Sequence, residues 1–154
     1  MVAGDQVAAP CYLLDTNILV AYVPAGVLGE YVERRFHLRQ ATYKPLISVV
    51  SVGEIMALLR KFRWSTERIA RMRELVRELI RIDISSDDVL EAYAELADFA
   101  RTHETIPQND IWIAATAKVT GATLLTTDKH FDQFHKTHLS RIWIDEEKVR
   151  RDGP

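Results

Sequence analysis

The sequence predicts one α/β domain, a parallel sheet with helices on both faces. Three observations lead there. Short apolar runs of strand length alternate with longer stretches of helical spacing, the pattern of parallel strands joined by crossover helices. The runs carry no polar alternation, as expected of strands buried on both faces. Finally, 154 residues with 47% hydrophobic and 27% charged side chains suffice to bury roughly two thirds of the unfolded surface in one core.

The elements follow in order. Met1 to Pro10 is small and weakly patterned and reads as a loose leader, with the domain spanning residues 11–145 and a polar tail over 146–154. Cys11 to Leu14 is the first strand and stops at Asp15. Thr16 to Tyr22 starts a helix, and Leu28 to Gln40 forms another, richer in charge. Pro45 to Val49 is the second strand. Ser51 reads as the N-cap of a helix running to Phe62, and Ser65-Thr66 caps one running to Arg81. Ile82 to Ile84 is a short strand. Ser85-Ser86-Asp87-Asp88 supplies the cap and acidic first turn of a helix that reaches His103. Pro107 to Asp110 opens the next, in which Ile113, Ala114 and Ala117 recur at helical spacing until Gly121 ends it. Thr123 to Thr126 and Arg141 to Ile144 are the last strands.

Bulk properties exclude several classes. Twenty Lys and Arg against 22 Asp and Glu leave a net charge of −2, so total charge does not mark a nucleic-acid binder. One cysteine, Cys11, allows neither an internal disulfide nor a Cys-rich zinc site. No apolar run reaches the roughly 18 residues of a membrane span, and no secretory signal is recognisable. These features lead us to expect a cytoplasmic protein with no membrane partner.

The acids carry the chemistry. Asp15 ends the first strand, and Glu54 lies in the first turn of the helix leaving the second. Asp110 begins a helix whose N-terminus must overlie the carboxyl ends of the strands, because that helix runs antiparallel to the strand that follows it. Asp128 ends that following strand. With the first strand central, flanked by the second and by Thr123–Thr126, all four carboxylates meet at the sheet edge where α/β folds bind ligands. Four crowded acids repel one another, and a hard cation relieves the repulsion. An oxygen donor set favours Mg²⁺ or Mn²⁺, which take phosphate oxygens as further ligands and activate water. Phosphodiester hydrolysis is the matching reaction. Each acid also has a local reading: Ser51-x-x-Glu54 fits a capping box, Asn109-Asp110 a dipole-complementing first turn, and Asp128 a turn residue.

Leu-Leu-Asp15-Thr16-Asn17, Ser-Val-Gly-Glu54-Ile, Asn109-Asp110-x-Trp-Ile-Ala-Ala and Leu-Leu-Thr-Thr-Asp128-Lys-x-Phe together resemble the four motifs of PIN-domain nucleases. More narrowly, they resemble the VapC ribonuclease toxins of toxin–antitoxin pairs. The similarity runs from Tyr12 to Ile144. It implies a three-layer α/β/α sandwich around a central parallel sheet. It also implies that Asp15, Glu54, Asp110 and Asp128 bind one or two Mg²⁺ or Mn²⁺ ions for metal-dependent cleavage of RNA. Thr16 and Asn17 would support the first motif, Asn109 would orient Asp110, and Thr127 would lie beside the metal pocket. A homodimer and a cognate antitoxin protein are implied as partners.

From Arg60 to Arg81 eight bases face three acids. They form either a solvated helix laced by Glu–Arg pairs or an arginine face that holds RNA phosphates beside the acidic pocket. On the second reading Arg60, Lys61 and Arg63 lie nearest the substrate. His130, His135 and His138 lack the spacing of a helical zinc motif and read as a surface turn, with His130 close to Asp128. Trp112 and Trp143 are expected to pack in the core. A haloacid-dehalogenase-like phosphoaspartate site is excluded because Asn17 stands where its second Asp must be, and a receiver domain because Leu14 precedes Asp15. Two alternatives keep the fold: a PIN nuclease of RNA processing, and a PIN-like domain that binds RNA or protein without catalysis.

Overall fold

The computed structural model describes residues 9–23 and 26–153. Most of the expected leader, residues 1–8, lies outside this range. Among the described residues the strands β1 (Tyr12–Leu14), β2 (Leu46–Ser48), β3 (Ile80–Ile82), β4 (Thr123–Thr126) and β5 (Arg141–Trp143) form one sheet in the order β3-β2-β1-β4-β5. Every neighbouring pair is parallel. As expected, β1 is central, between β2 and β4. The helices are α1 (Thr16–Val20), α2 (Val27–Phe36), α3 (Val49–Lys61), α4 (Thr66–Glu78), α5 (Asp87–Arg101), α6 (Gln108–Thr120) and α7 (Glu146–Asp152).

Strand periodicity builds the layers. Side chains alternate across a strand, so Leu13, Leu46 and Leu124 enter one buried cluster while Leu14, Ile47 and Leu125 enter the other. The first cluster is closed by α5 and α6 through residues such as Val89, Leu96, Ile113 and Ala117. The second is closed by α1–α4 and α7 through Ile18, Leu28, Val32, Ile55, Met72 and Val149. This is the expected three-layer sandwich, and it explains why the strands read as uninterrupted apolar runs.

Local chemistry sets the helix boundaries. Ser65 and Ser86 accept from Arg68 N and Val89 N, capping α4 and α5. Gly121, at φ 70°, ends α6 in the left-handed region that glycine enters without a Cβ penalty. Gly29 on α2 faces α1 so closely that a Cβ there would lie 2.5 Å from the Ala21 carbonyl oxygen.

Four expectations are corrected. The helix expected to reach Arg81 ends at Glu78, and the short strand expected over Ile82–Ile84 is β3, Ile80–Ile82, set by the pairing of Ile80 with Leu46 and by Ile80 N donating to the Pro45 carbonyl at 3.0 Å. Ser48, not Ser51, caps α3, its hydroxyl accepting from Val50 N at 3.2 Å. The helix therefore starts at Val49, and Ser51 is fully buried inside it. The long helix expected over Leu28–Gln40 breaks at His37, whose left-handed φ of 51° separates α2 from a 3₁₀ turn, Leu38–Gln40. Glu33 holds the break, accepting from Tyr22 Oη at 3.1 Å and Arg39 N at 3.2 Å. Residues 146–152 of the expected polar tail form α7, capped by Asp145, with Val149 buried in the second cluster. One apolar residue in seven gave no visible stripe, so the helix was not legible as one.

Candidate active site

Asp15 is the first residue beyond β1, and its backbone extends the ladder by donating to the Leu125 carbonyl at 3.0 Å. The side chain is buried, 5% exposed. Such a carboxylate needs partners, and it has two. Oδ1 accepts from Thr16 N at 2.8 Å, capping α1, and Oδ2 accepts from Thr126 Oγ1 at 2.7 Å. Thr16 Oγ1 donates to Glu54 Oε1 at 2.9 Å, tying the first motif to the second turn of α3. The capping-box reading of Glu54 thereby falls, since the carboxylate points across to α1 and not back to its own helix start.

The other two acids come from the far side of β1. Asp110 is the third residue of α6 and is partly buried. Asp128 follows β4 and caps a 3₁₀ turn, Lys129–Phe134, its Oδ1 accepting from His130 N at 2.8 Å. Its own backbone N–H donates to Thr126 Oγ1 at 2.9 Å. His130 Nδ1 lies 3.0 Å from Asp110 Oδ2 and 3.1 Å from Asp128 Oδ2.

The electrostatics join all four acids. Burial raises the Asp15 pKa to about 6, with repulsion from Asp110 and Glu54 adding to it and the bonds from Thr126 and Thr16 opposing it. Burial likewise raises Asp110, reinforced by Asp128 and Glu54 and opposed by its bond to His130. The bond to Asp110 is in turn the main reason that the His130 pKa is raised. Carboxylates held this close, against their own solvation, form a site that favours a cation. The donor set is rich in hard oxygens and suits a divalent ion. Asp110, Asp128 and His130 each offer a donor atom within 4.8 Å of the others.

The supporting residues fall into two groups. Thr16 is inside the network, whereas Asn17 and Asn109 are exposed, and the hydrogen bond holding Asp110 comes from His130. Thr127 is partly buried, and its carbonyl accepts from Trp143 Nε1 at 3.0 Å. Of the two threonines that precede Asp128, it is Thr126 and not the expected Thr127 whose hydroxyl reaches an acid. Register could have found it: Leu14 pairs with Leu125, so Asp15 stands beside Thr126.

Arg60 and Lys61 at the end of α3 and Arg63 just beyond it are exposed, and Arg60 is six positions after Glu54, about 9 Å along the helix axis. Not every base in this stretch is free for a ligand. Arg68 donates to the Val23 carbonyl at 2.9 Å and stacks on Trp64 at 3.5 Å. His135 accepts from Arg141 N, and His138 packs against Phe99 and Phe134. Both therefore serve the fold. Trp112 stacks on Tyr93, and Lys129 lies over the Trp143 ring.

Comparison with known proteins gives a consistent result. Residues 12–136 match the PIN domain family. No curated protein matches the sequence. A chain from the VapBC2 complex of Rickettsia felis bound to a promoter DNA fragment superposes with a TM-score of 0.71 at 23% identity, covering 88% of this chain and 99% of that one. A chain of VapBC-1 from nontypeable Haemophilus influenzae gives 0.71 at 20% identity, with coverages of 86% and 97%. PAE2754 from Pyrobaculum aerophilum gives 0.54 at 19% identity, with coverages of 93% and 96%. These likenesses are of fold.

Proposed function

This chain belongs to the PIN-domain family, and from that premise we propose that it is a divalent-metal-dependent endoribonuclease, the toxin of a VapBC-like toxin–antitoxin pair. One observation carries the reading: four carboxylates from four separate elements share one sheet edge, with the most buried of them raised to a pKa of about 6. A merely structural site would pair such acids with Lys or Arg. Here Asp15 and Glu54 accept hydrogen bonds from threonine hydroxyls and a backbone N–H.

Asp110 and Asp128 would hold the ion, with Asp15 and Glu54 completing the acidic wall. A bound Mg²⁺ or Mn²⁺ lowers the pKa of a coordinated water and stabilises charge on a phosphoryl oxygen. The chain's own residues position these groups. Thr126 fixes Asp15 and the backbone of Asp128 with one hydroxyl, and Thr16 fixes Glu54. Arg60, Lys61 and Arg63 would hold the RNA backbone that the acids repel. The VapBC complexes among the similar structures support an antitoxin protein as partner, and we extend the proposal to a homodimer.

The test is cleavage of total cellular RNA by the purified protein in Mg²⁺, Mn²⁺ or EDTA, beside Asp110→Asn. We expect cleavage that needs the metal and disappears in the variant. Metal-independent cleavage that survives in Asp110→Asn would overturn the carboxylate mechanism. Absence of both cleavage and metal binding would leave a non-catalytic binding domain.

A further inference from the structure

One group shared by two of the acids is not itself a carboxylate. His130 sits on the 3₁₀ turn after β4, and its backbone N–H pins Asp128 Oδ1. That bond leaves Asp128 Oδ2 directed at the imidazole, at 3.1 Å, while Asp110 Oδ2 approaches the same Nδ1 at 3.0 Å. One ring nitrogen thus faces two carboxylate oxygens from different elements. A nitrogen carries a single hydrogen, so it cannot make two well-directed bonds at once. The arrangement is three electron-pair donors converging on a place for one cation. Ligands at right angles around a divalent ion, with bonds of about 2.1 Å, stand about 3 Å apart, which is the separation seen here.

Resting on the metal-centre reading above, we infer that His130 Nδ1 is itself a ligand of the ion held by Asp110 and Asp128, and that this nitrogen shifts the centre from Mg²⁺ toward Mn²⁺. Mg²⁺ prefers hard oxygen donors and retains its waters, whereas an imidazole favours transition ions in the order of their affinity for nitrogen. Asp15 and Glu54 are held by hydroxyl and backbone donors at the buried side of the site. His130, by contrast, is 45% exposed to solvent. Its exposure also makes substitution compatible with folding.

The experiment is Mn²⁺ binding to the EDTA-treated full chain, followed by electron paramagnetic resonance, with pulsed measurement of nitrogen coupling and competition by Mg²⁺. The wild type should show the coupling of a directly bound imidazole nitrogen, altered by ¹⁵N-histidine labelling. His130→Ala and His130→Asp should lose it. His130→Asp, an all-oxygen site, should need roughly tenfold less Mg²⁺ to displace Mn²⁺, the size of effect expected when one ligand environment changes. If Mn²⁺ binds, Asp110→Asn abolishes binding, and the wild type shows no nitrogen coupling, the inference is wrong while the metal centre stands. If the wild type binds no Mn²⁺, both fall.

Discussion

Thr126 shows how much one side chain can decide in this site. Its hydroxyl donates to Asp15 and accepts from the Asp128 backbone, so it joins two acids that are 113 positions apart in the chain. Removing such a supporting contact typically costs 10–100-fold in metal affinity. Thr126→Val should therefore weaken Mn²⁺ binding by about 10-fold or more while Thr126→Ser restores it, as read by calorimetry. Asp15 gives a second expectation. Its pKa is about 6 in the folded chain and 3.8 ordinarily, so the folded state binds the proton more tightly. The stability it contributes is complete below pH 3.8 and is lost as the pH rises through 6. The loss is about 3 kcal/mol at most. In EDTA, the difference in urea stability between the wild type and Asp15→Asn should shrink or reverse from pH 4 to pH 7. A pH-independent difference would contradict the buried, repelled carboxylate.

Among the elements, α3 differs from expectation at its first turn. Ser48 and Ser51 are three residues apart, and both precede an apolar helical pattern. Either could cap by composition. The structure chose Ser48, because β2 ends there and Val50 N faces its hydroxyl. Among the described residues the buried Ser51 Oγ has no hydrogen-bond partner. Ser48→Ala should cost about 1 kcal/mol in chemical denaturation, whereas Ser51→Ala should be neutral or stabilising by up to ~1 kcal/mol, since it removes an unsatisfied hydroxyl. Equal losses at the two positions would mean that Ser48 does not cap α3. The other four strands, the start of α4, and α5 and α6 were legible because their boundary residues have one role each, as Ser65, Ser86 and Gly121 do, whereas β3 lies two residues earlier than expected because its register is set by pairing with β2. The break at His37 was not, because Glu33 closes it through Tyr22 and Arg39, contacts that no local pattern contains.

For the whole molecule, the net charge of −2 conceals a separation between an acidic sheet edge and exposed bases at the end of α3. Reversing Arg60, Lys61 and Arg63 to Glu should lower RNA affinity and flatten its salt dependence by about one to three units of slope, measured with catalytically silent Asp110→Asn as background. The melting temperature should be unchanged, because all three side chains are exposed. An unaltered salt slope would mean that RNA phosphates are held elsewhere. Among the described residues no helix is long and apolar enough to cross a membrane.

By itself the sequence determined the layer order of this protein and the edge on which its acids meet. Strand length, apolar runs and helix signals are local, and a parallel sheet with right-handed crossovers leaves few ways to arrange them. Only tertiary structure decided which threonine serves Asp15, which serine caps α3, that residues 146–152 form a helix, and that His130 faces both Asp110 and Asp128. Each of these depends on register or on packing between segments distant in the chain, where a shift of one residue turns a side chain to the opposite face of the sheet.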